Sequence, residues 1–161
     1  KPHLGNGFSC HICVLRPQSR GTVGLNNNDP KKDPRIDPAF LSDERDLDTL
    51  TAGLRLTRQL LEAPALAPWR GKELYKVDHN NERALKEMIR NRADTVYHPV
   101  GTCKMGSDDM AVVDNKLKVH GIDGLRVVDA SIMPTLIGGN TNAPAIMIGE
   151  RAADFIKTAM A

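Results

Sequence analysis

The polar residues best suited to chemistry are concentrated in two segments of the sequence. Residues 97–106 read YHPVGTCKMG and contain one histidine, His98, followed by a proline and a nearby glycine. Histidine is the common general base because an unperturbed imidazole titrates near neutral pH. A single His-Pro pair is equally typical of a surface or structural histidine, so on this segment alone both a catalytic and a structural role for His98 stay open.

The second segment, residues 133–150, reads MPTLIGGNTNAPAIMIGE and places paired glycines and two asparagines ahead of a predicted helix. Paired glycines let a ligand approach the backbone closely, and asparagine amides donate hydrogen bonds without titrating. A helix N-terminus also presents N–H groups to an anionic or electron-rich ligand. The pattern predicts a ligand platform, with a simple helix cap at Asn142 as the alternative.

A C-x-x-C pair, Cys10 and Cys13, is compatible with a zinc or redox site. Zinc needs further ligands at suitable spacing, and Cys103 is the one remaining cysteine. Residues 7–15 alternate like a strand, which would direct the two thiols to opposite faces of a sheet. We therefore expect no metal site and a structural role for this pair.

Apolar spacing predicts three helices around these segments. The first covers residues 42–62 with Ser42 as its cap, the second covers residues 81–92, and the last begins near Asn142. The buried face predicted for the last helix carries Ile148, Ala152, Phe155 and Ala159.

Shorter runs predict the strands. Residues 7–15 and 22–25 are expected to form a hairpin or two neighbouring strands, and residues 125–131 a buried strand. Strands combined with helices in this way predict the α+β fold class.

Composition excludes several classes of function. The chain has 161 residues, and 22 Lys and Arg against 20 Asp and Glu leave a net charge of +2, so we expect no nucleic-acid partner. No apolar run approaches the roughly 18 residues that a membrane span needs. Three cysteines make no disulfide framework, which favours a reducing, cytoplasmic location.

Three longer stretches carry a family resemblance: RPQSRGTVGL at 16–25, DPRIDPAFLSDERDLDTL at 33–50, and VHGIDGLRVVDASIMPTLIGGNTNAPAIMIGERAADFI at 119–156. Together with YHPVGT they resemble the C-terminal part of the glucose-methanol-choline (GMC) oxidoreductases, most strongly the choline-dehydrogenase-like FAD-dependent alcohol dehydrogenases. The resemblance implies the substrate-binding domain of such a flavoenzyme, a sheet with flanking helices, over residues 1–100. Residues 101–161 are then a C-terminal segment contributing the catalytic loop and flavin contacts.

The resemblance also implies roles for individual residues. His98 lies where the family has its active-site histidine, and Asn140 lies where it has a second catalytic residue, His or Asn. The positions that match flavin-nucleotide contacts are Asp129 and Ala130, and those that match the pyrimidine edge of the flavin are Asn142 and Ala143.

The activity implied is oxidation of a small primary alcohol, choline-like or aliphatic, to the aldehyde. The hydroxyl proton is removed by the protein and a hydride passes to N5 of FAD. As a dehydrogenase the enzyme would pass electrons to a quinone or another carrier, with peripheral inner-membrane association as a possible location. The alcohol, and the distinction between oxidase and dehydrogenase, stay open. A non-catalytic remnant or binding module that keeps the fold without cofactor is the alternative.

One family motif does not occur in this sequence. Gly5-Asn6-Gly7 is followed by Phe8-Ser9-Cys10, so there is no G-x-G-x-x-G for the FAD pyrophosphate. We therefore expect the Rossmann-type FAD domain, an N-terminal partner of this chain, to be missing here. The isolated chain is then expected to bind FAD weakly or not at all, to be inactive and to be prone to self-association.

Overall fold

A computed structural model describes residues 5–160 as a mixture of helices and short strands, in agreement with the α+β class. Its strands are β1 (Thr22–Gly24) and β2 (Arg35–Asp37), and its α-helices are α1 (Glu44–Leu61), α2 (Glu82–Arg90) and α3 (Asn142–Met160). Two 3-10 turns cover Pro64–Leu66 and Ala130–Ile132. Within residues 5–160, no helix is both long and apolar enough to cross a bilayer.

The described residues divide into two compact units. The first unit comprises residues 5–14, 18–20 and 39–94, and therefore contains α1 and α2. The second comprises residues 15–17, 21–38 and 95–160, and contains the β1–β2 pair and α3.

Helix α1 begins one residue later than predicted. The Asp43 carboxylate, not the Ser42 hydroxyl, accepts the N–H of Arg45 at 3.0 Å, and Asp43 is the N-cap. A carboxylate in this position is also stabilised by the positive end of the helix dipole. The side chain of Arg45 adds an ion pair to Asp43, and these bonds lower the pKa of Asp43 to about 2. The helix prediction itself is confirmed, with its end at Leu61.

Helices α1 and α2 bury an aliphatic core between them. Leu47 and Leu85 are fully buried, and Ile89 is nearly so. Asn81 caps α2 by accepting the N–H of Ala84, and the helix ends at Arg90. Lys86 of α2 bonds the carboxylates of Asp48 and Glu44, and these two bonds raise its pKa.

A buried carboxylate joins residues 18–20 to α1. Asp46 is 3% exposed and accepts three hydrogen bonds, from the N–H of Gln18 at 2.8 Å, the N–H of Ser19 at 2.8 Å and the Ser19 hydroxyl at 2.6 Å. Burial on its own raises the pKa of the Asp46 carboxyl, but these three bonds outweigh burial and lower it.

We expect Asp46→Asn to lower the free energy of unfolding by about 2 kcal/mol near neutral pH, because the amide NH₂ cannot accept from donors placed for a carboxylate. The pKa of Asp46 is lower in the folded state, so its contribution is present above the unfolded value of about 3.9 and is lost as the pH falls through the folded value. Urea denaturation at several pH values checks this. The difference between the two proteins should shrink as the solution is acidified, whereas Glu87→Gln, at an exposed position of α2, should change little.

The predicted hairpin needs two corrections. Residues 7–15 form no strand, and β1 pairs instead with β2, antiparallel and with Val23 opposite Ile36. Side chains within the connection stabilise its turns. The Asn27 side chain accepts the N–H of Asp29, and the Asp29 side chain accepts the N–H of Lys31. The alternation of a short run does not determine which other segment it pairs with, and the predicted hairpin is wrong for this reason.

Without that strand, the alternation argument for the C-x-x-C pair no longer applies. Cys10 and Cys13 are both free and exposed. Across the described part of the chain, no three His, Cys, Asp or Glu side chains are grouped so that they could hold a metal ion.

The second core lies against α3. Its buried members are Val113, Leu117, Ile132, Met133, Ile148 and Ala152, with Phe155 packed at the edge. The predicted face of the last helix is thus confirmed at Ile148, Ala152 and Phe155, whereas Ala159 is exposed.

The predicted strand at 125–131 is wrong. A single antiparallel bridge joins Arg126 to Lys118, and Val128 is exposed. The Asp129 side chain then accepts the N–H of Ser131 at 2.7 Å and starts the 3-10 turn Ala130–Ile132. A side chain that accepts the backbone N–H two residues later favours a turn over an extended conformation. This local hydrogen bond explains why the segment turns at Asp129 and does not continue as a strand.

Candidate active site

His98 is placed by a special backbone conformation on either side of it. Tyr97 has a φ of 64°, in the left-handed region, and its N–H donates to the Thr95 hydroxyl at 2.9 Å. Gly101 has a φ of 89°, and a Cβ at this position would lie 3.3 Å from the carbonyl oxygen of Met133. Residues other than glycine rarely adopt such φ values, so Gly101 lets the histidine segment turn close to residue 133.

Backbone hydrogen bonds then hold this segment beside the start of the second one. The N–H of Cys103 donates to the Ser131 carbonyl at 3.0 Å, and the N–H of Met105 donates to the Ile132 carbonyl at 2.8 Å. Ile132 is buried in the α3 core. The segment before Cys103 therefore lies close to the segment after Ile132, although the two are far apart in sequence.

The His98 ring contacts two consecutive residues of the second segment. Its Nε2 lies 3.2 Å from Asn140 Oδ1, and its Nδ1 lies 2.8 Å from Thr141 Oγ1. His98 and Thr141 are half-buried, and Asn140 is exposed. The structure thus brings together the two residues that the sequence pointed to as a catalytic pair.

Thr141 was missed by sequence reasoning. Its position between Asn140 and Asn142 was part of the motif, but nothing in the spacing indicated that its hydroxyl would meet a ring 43 residues earlier in the chain. The one available signal was its chemistry, since a hydroxyl directly before a helix can both donate and accept.

The double-glycine loop leading to Asn140 is held by an arginine. Arg16 Nη1 donates to the Leu136 carbonyl at 3.4 Å. A Cβ at Gly138 would lie 3.2 Å from Arg16 Nη2, closer than ordinary van der Waals contact. The absence of a side chain at Gly138 therefore lets the guanidinium pack against the loop.

The four residues matched to flavin contacts lie at two places in the second unit. Asp129 is exposed and caps the 3-10 turn, and Ala130 packs against the α3 core. Asn142 and Ala143 are the first two residues of α3, and both are exposed.

This donor set suits a flavin nucleotide. The first N–H groups of a helix have no intrahelical acceptor, and Pro144 has no N–H, so Asn142 and Ala143 supply the N–H groups at this end of α3. The helix dipole makes the same end partly positive, which suits the electron-rich pyrimidine edge. The exposed carboxylate of Asp129 can accept hydrogen bonds from hydroxyl groups of a nucleotide in addition to the Ser131 N–H.

Known proteins resemble this chain over most of its length. An oxygen-dependent choline dehydrogenase of Cronobacter sakazakii is 50% identical over 153 residues, which are 94% of this chain and 27% of that protein. An alcohol dehydrogenase [acceptor] of Pseudomonas putida is 49% identical over 156 residues, which are 95% of this chain and 28% of that protein. The chain therefore spans little more than a quarter of the length of these curated relatives.

Solved structures share the fold. A formate oxidase of Aspergillus oryzae RIB40, in a variant used to study FAD modification, superposes with a TM-score of 0.85 at 30% identity. The match covers 91% of this chain and 26% of the formate oxidase chain. A fungal aryl-alcohol oxidase superposes with a TM-score of 0.79 at 36% identity and covers 91% of this chain and 25% of its own.

The family model for the C-terminal domain of GMC oxidoreductases matches residues 17–149. That range includes His98, Asn140 and the start of α3. The chain accordingly belongs to the GMC oxidoreductases, a family of flavoproteins, and corresponds to their C-terminal part.

Proposed function

We propose that this chain supplies the catalytic pair and part of the FAD site of an alcohol dehydrogenase that oxidises a small primary alcohol, choline-like or aliphatic, to the aldehyde. The observation that carries the proposal is the pairing of His98 Nε2 with Asn140 Oδ1 at 3.2 Å, beside the first turn of α3. An imidazole and an amide side by side can both bond one alcohol oxygen placed next to them, and the imidazole can accept its proton.

The two side chains divide the work on the alcohol. His98 Nε2 takes the hydroxyl proton, and the Asn140 amide keeps the alcohol oxygen in line by a hydrogen bond that does not depend on titration. FAD, when bound, would supply the acceptor for the hydrogen of the adjacent carbon, which leaves as a hydride. Loss of one proton and one hydride converts the alcohol to the aldehyde, so the step is balanced.

The start of α3 is proposed to stabilise negative charge at the pyrimidine edge of the cofactor. Asn142 and Ala143 provide the N–H groups, and the helix dipole adds about 1 kcal/mol at such a terminus. Asp129 and Ala130 are proposed to contact the nucleotide part. In this arrangement the protein positions and polarises the reactants, while the redox chemistry belongs to the cofactor.

Partners and location follow from the same proposal. We propose that the electrons pass to a quinone or another carrier. Of the two relatives, the alcohol dehydrogenase is named for an acceptor of this kind, whereas the choline dehydrogenase is named oxygen-dependent. The expected location is cytoplasmic or peripheral at the inner membrane. The FAD pyrophosphate would be bound by a separate N-terminal FAD domain, and the division of this chain at residue 100 stays a prediction.

The proposal predicts flavin reduction by alcohol. When the complete polypeptide that carries this chain is purified with FAD, anaerobic addition of choline or of an aliphatic primary alcohol is expected to bleach the flavin absorbance. The 161-residue chain alone is the control and should contain little or no FAD. Without a glycine-rich turn, the pyrophosphate loses several charge-assisted hydrogen bonds.

Three results would contradict this prediction. An isolated chain that is yellow, with stoichiometric FAD and alcohol-dependent dye reduction, would show the expectation for the chain alone to be wrong. If the complete polypeptide binds FAD but no primary alcohol bleaches its flavin absorbance, the proposed reaction is wrong. A complete polypeptide that binds no FAD at all would favour a non-catalytic binding module.

A further inference from the structure

We propose that Thr141 is a positioning residue for the His98 imidazole, an inference that rests on the proposed alcohol oxidation at this site. Thr141 Oγ1 lies 2.8 Å from His98 Nδ1, and Asn140 Oδ1 lies 3.2 Å from Nε2. Adjacent residues of one loop thus hold the ring at both nitrogens. Because neutral imidazole has one donor and one acceptor nitrogen, the partner of Nδ1 influences the state of Nε2.

Proton uptake at Nε2 requires a particular state of Nδ1. Nε2 must present its lone pair to the alcohol, so the hydrogen of the neutral ring must be on Nδ1. The Thr141 oxygen accepts that N–H before the transfer. After the transfer both ring nitrogens carry hydrogen, and the same Nδ1–H bond to Thr141 is kept. The hydroxyl therefore stabilises the ring on both sides of the step. Because an amide oxygen only accepts, the observed contact of Nε2 with Asn140 Oδ1 matches the form with hydrogen on Nε2, which follows the transfer, and before the transfer the Asn140 amide must turn its oxygen away from Nε2.

The Thr141 hydroxyl has a firm support. The Thr141 carbonyl accepts the N–H of Ala145 at 3.0 Å, which ties this residue to the first turn of α3. Helix α3 is in turn anchored in the core by Ile148 and Ala152. A hydroxyl held in this way limits rotation of the His98 ring, and correct orientation of a base relative to its substrate is a large part of catalysis.

The kinetic test uses the flavin-loaded complete polypeptide with Thr141→Val, which keeps the shape and removes the hydroxyl, and Thr141→Ser, which keeps the hydroxyl. We expect Thr141→Val to lower kcat about 10-fold, the scale of one lost hydrogen bond to a charged group, with KM changed less than about twofold. Thr141→Ser should retain most of kcat. Thr158→Val is the matched control, because Thr158 is exposed on α3 and donates only to the Asp154 carbonyl, at 2.9 Å.

A second measurement requires no turnover. In protein labelled with ¹⁵N-histidine, the ring signals of His98 report which nitrogen carries hydrogen. The fraction with hydrogen on Nδ1 should fall in Thr141→Val and be retained in Thr141→Ser. If the complete polypeptide oxidises no alcohol but this shift is seen, the proposed function fails while the role of Thr141 in setting the ring state stands.

Two outcomes would overturn the inference. The first is an unchanged distribution of hydrogen between the ring nitrogens in Thr141→Val. The second is a loss of kcat that Thr141→Ser shares, because such a loss would come from the α3 terminus and not from the hydroxyl.

Discussion

Replacing His98 by alanine in the flavin-loaded complete polypeptide is expected to lower kcat by about 10²-fold or more, the usual scale of lost acid–base catalysis. The ring is held at Nδ1 by Thr141 and faces Asn140 through Nε2, so its removal takes away the proton acceptor and leaves the rest of the loop in place. Steady-state kinetics with the best alcohol found by flavin bleaching measures the effect.

Flavin content distinguishes a catalytic from a structural effect of this substitution. The proposed cofactor contacts lie at Asp129, Ala130 and the start of α3, so His98→Ala should bind nearly as much FAD as the unmodified protein. His79→Ala is a suitable control, because His79 is exposed in the first unit. Near-normal turnover by a flavin-replete His98→Ala protein would show that His98 is not the base.

Asn140→Ala is the second substitution with a large expected effect. We expect a loss of roughly 2 to 4 kcal/mol in transition-state stabilisation, by analogy with removal of one oxyanion donor. The physical reason is that the amide orients the oxygen on which negative charge develops as its proton leaves. The quantity to measure is kcat/KM, and Asn140→His should retain partial activity, since the family resemblance includes both residue types at this position.

Two further variants sharpen this prediction. Asn115→Ala, at an exposed position of the second unit, should leave kcat/KM unchanged. The double variant of His98 and Asn140 should lose less than the sum of the two single losses, because the side chains touch and act on the same atom. If Asn140→Ala lowers only the thermal stability, Asn140 serves the loop and the start of α3 and has no part in the reaction.

The helices could be predicted from the sequence because their determinants are local. Asn81 caps α2 within three residues of its partner, and the buried face of α3 repeats at helical spacing through Ile148 and Ala152. The boundary of α1 moved from Ser42 to Asp43 because two neighbouring residues could both act as a cap. Local competition of this kind shifts the boundary of a helix but not its existence.

Strands depend on a partner elsewhere in the chain, and their prediction was correspondingly weaker. The alternation at 7–15 is compatible with a segment that forms no strand, whereas the short run Thr22–Gly24 forms β1 because Arg35–Asp37 lies opposite. At 125–131 the Asp129 side chain diverted the backbone into a turn. Hydrophobic period alone carries no information about pairing.

By itself, the sequence determined the family and the identity of the two candidate catalytic residues, since motifs are properties of residue type and order. Only the tertiary structure decided that His98 and Asn140 meet, and that Thr141 holds the other side of the ring. That meeting depends on backbone bonds from Cys103 and Met105 to residues 131 and 132 and on a left-handed Tyr97. Contacts between residues more than 40 positions apart arise from packing of the whole unit, which local spacing does not encode.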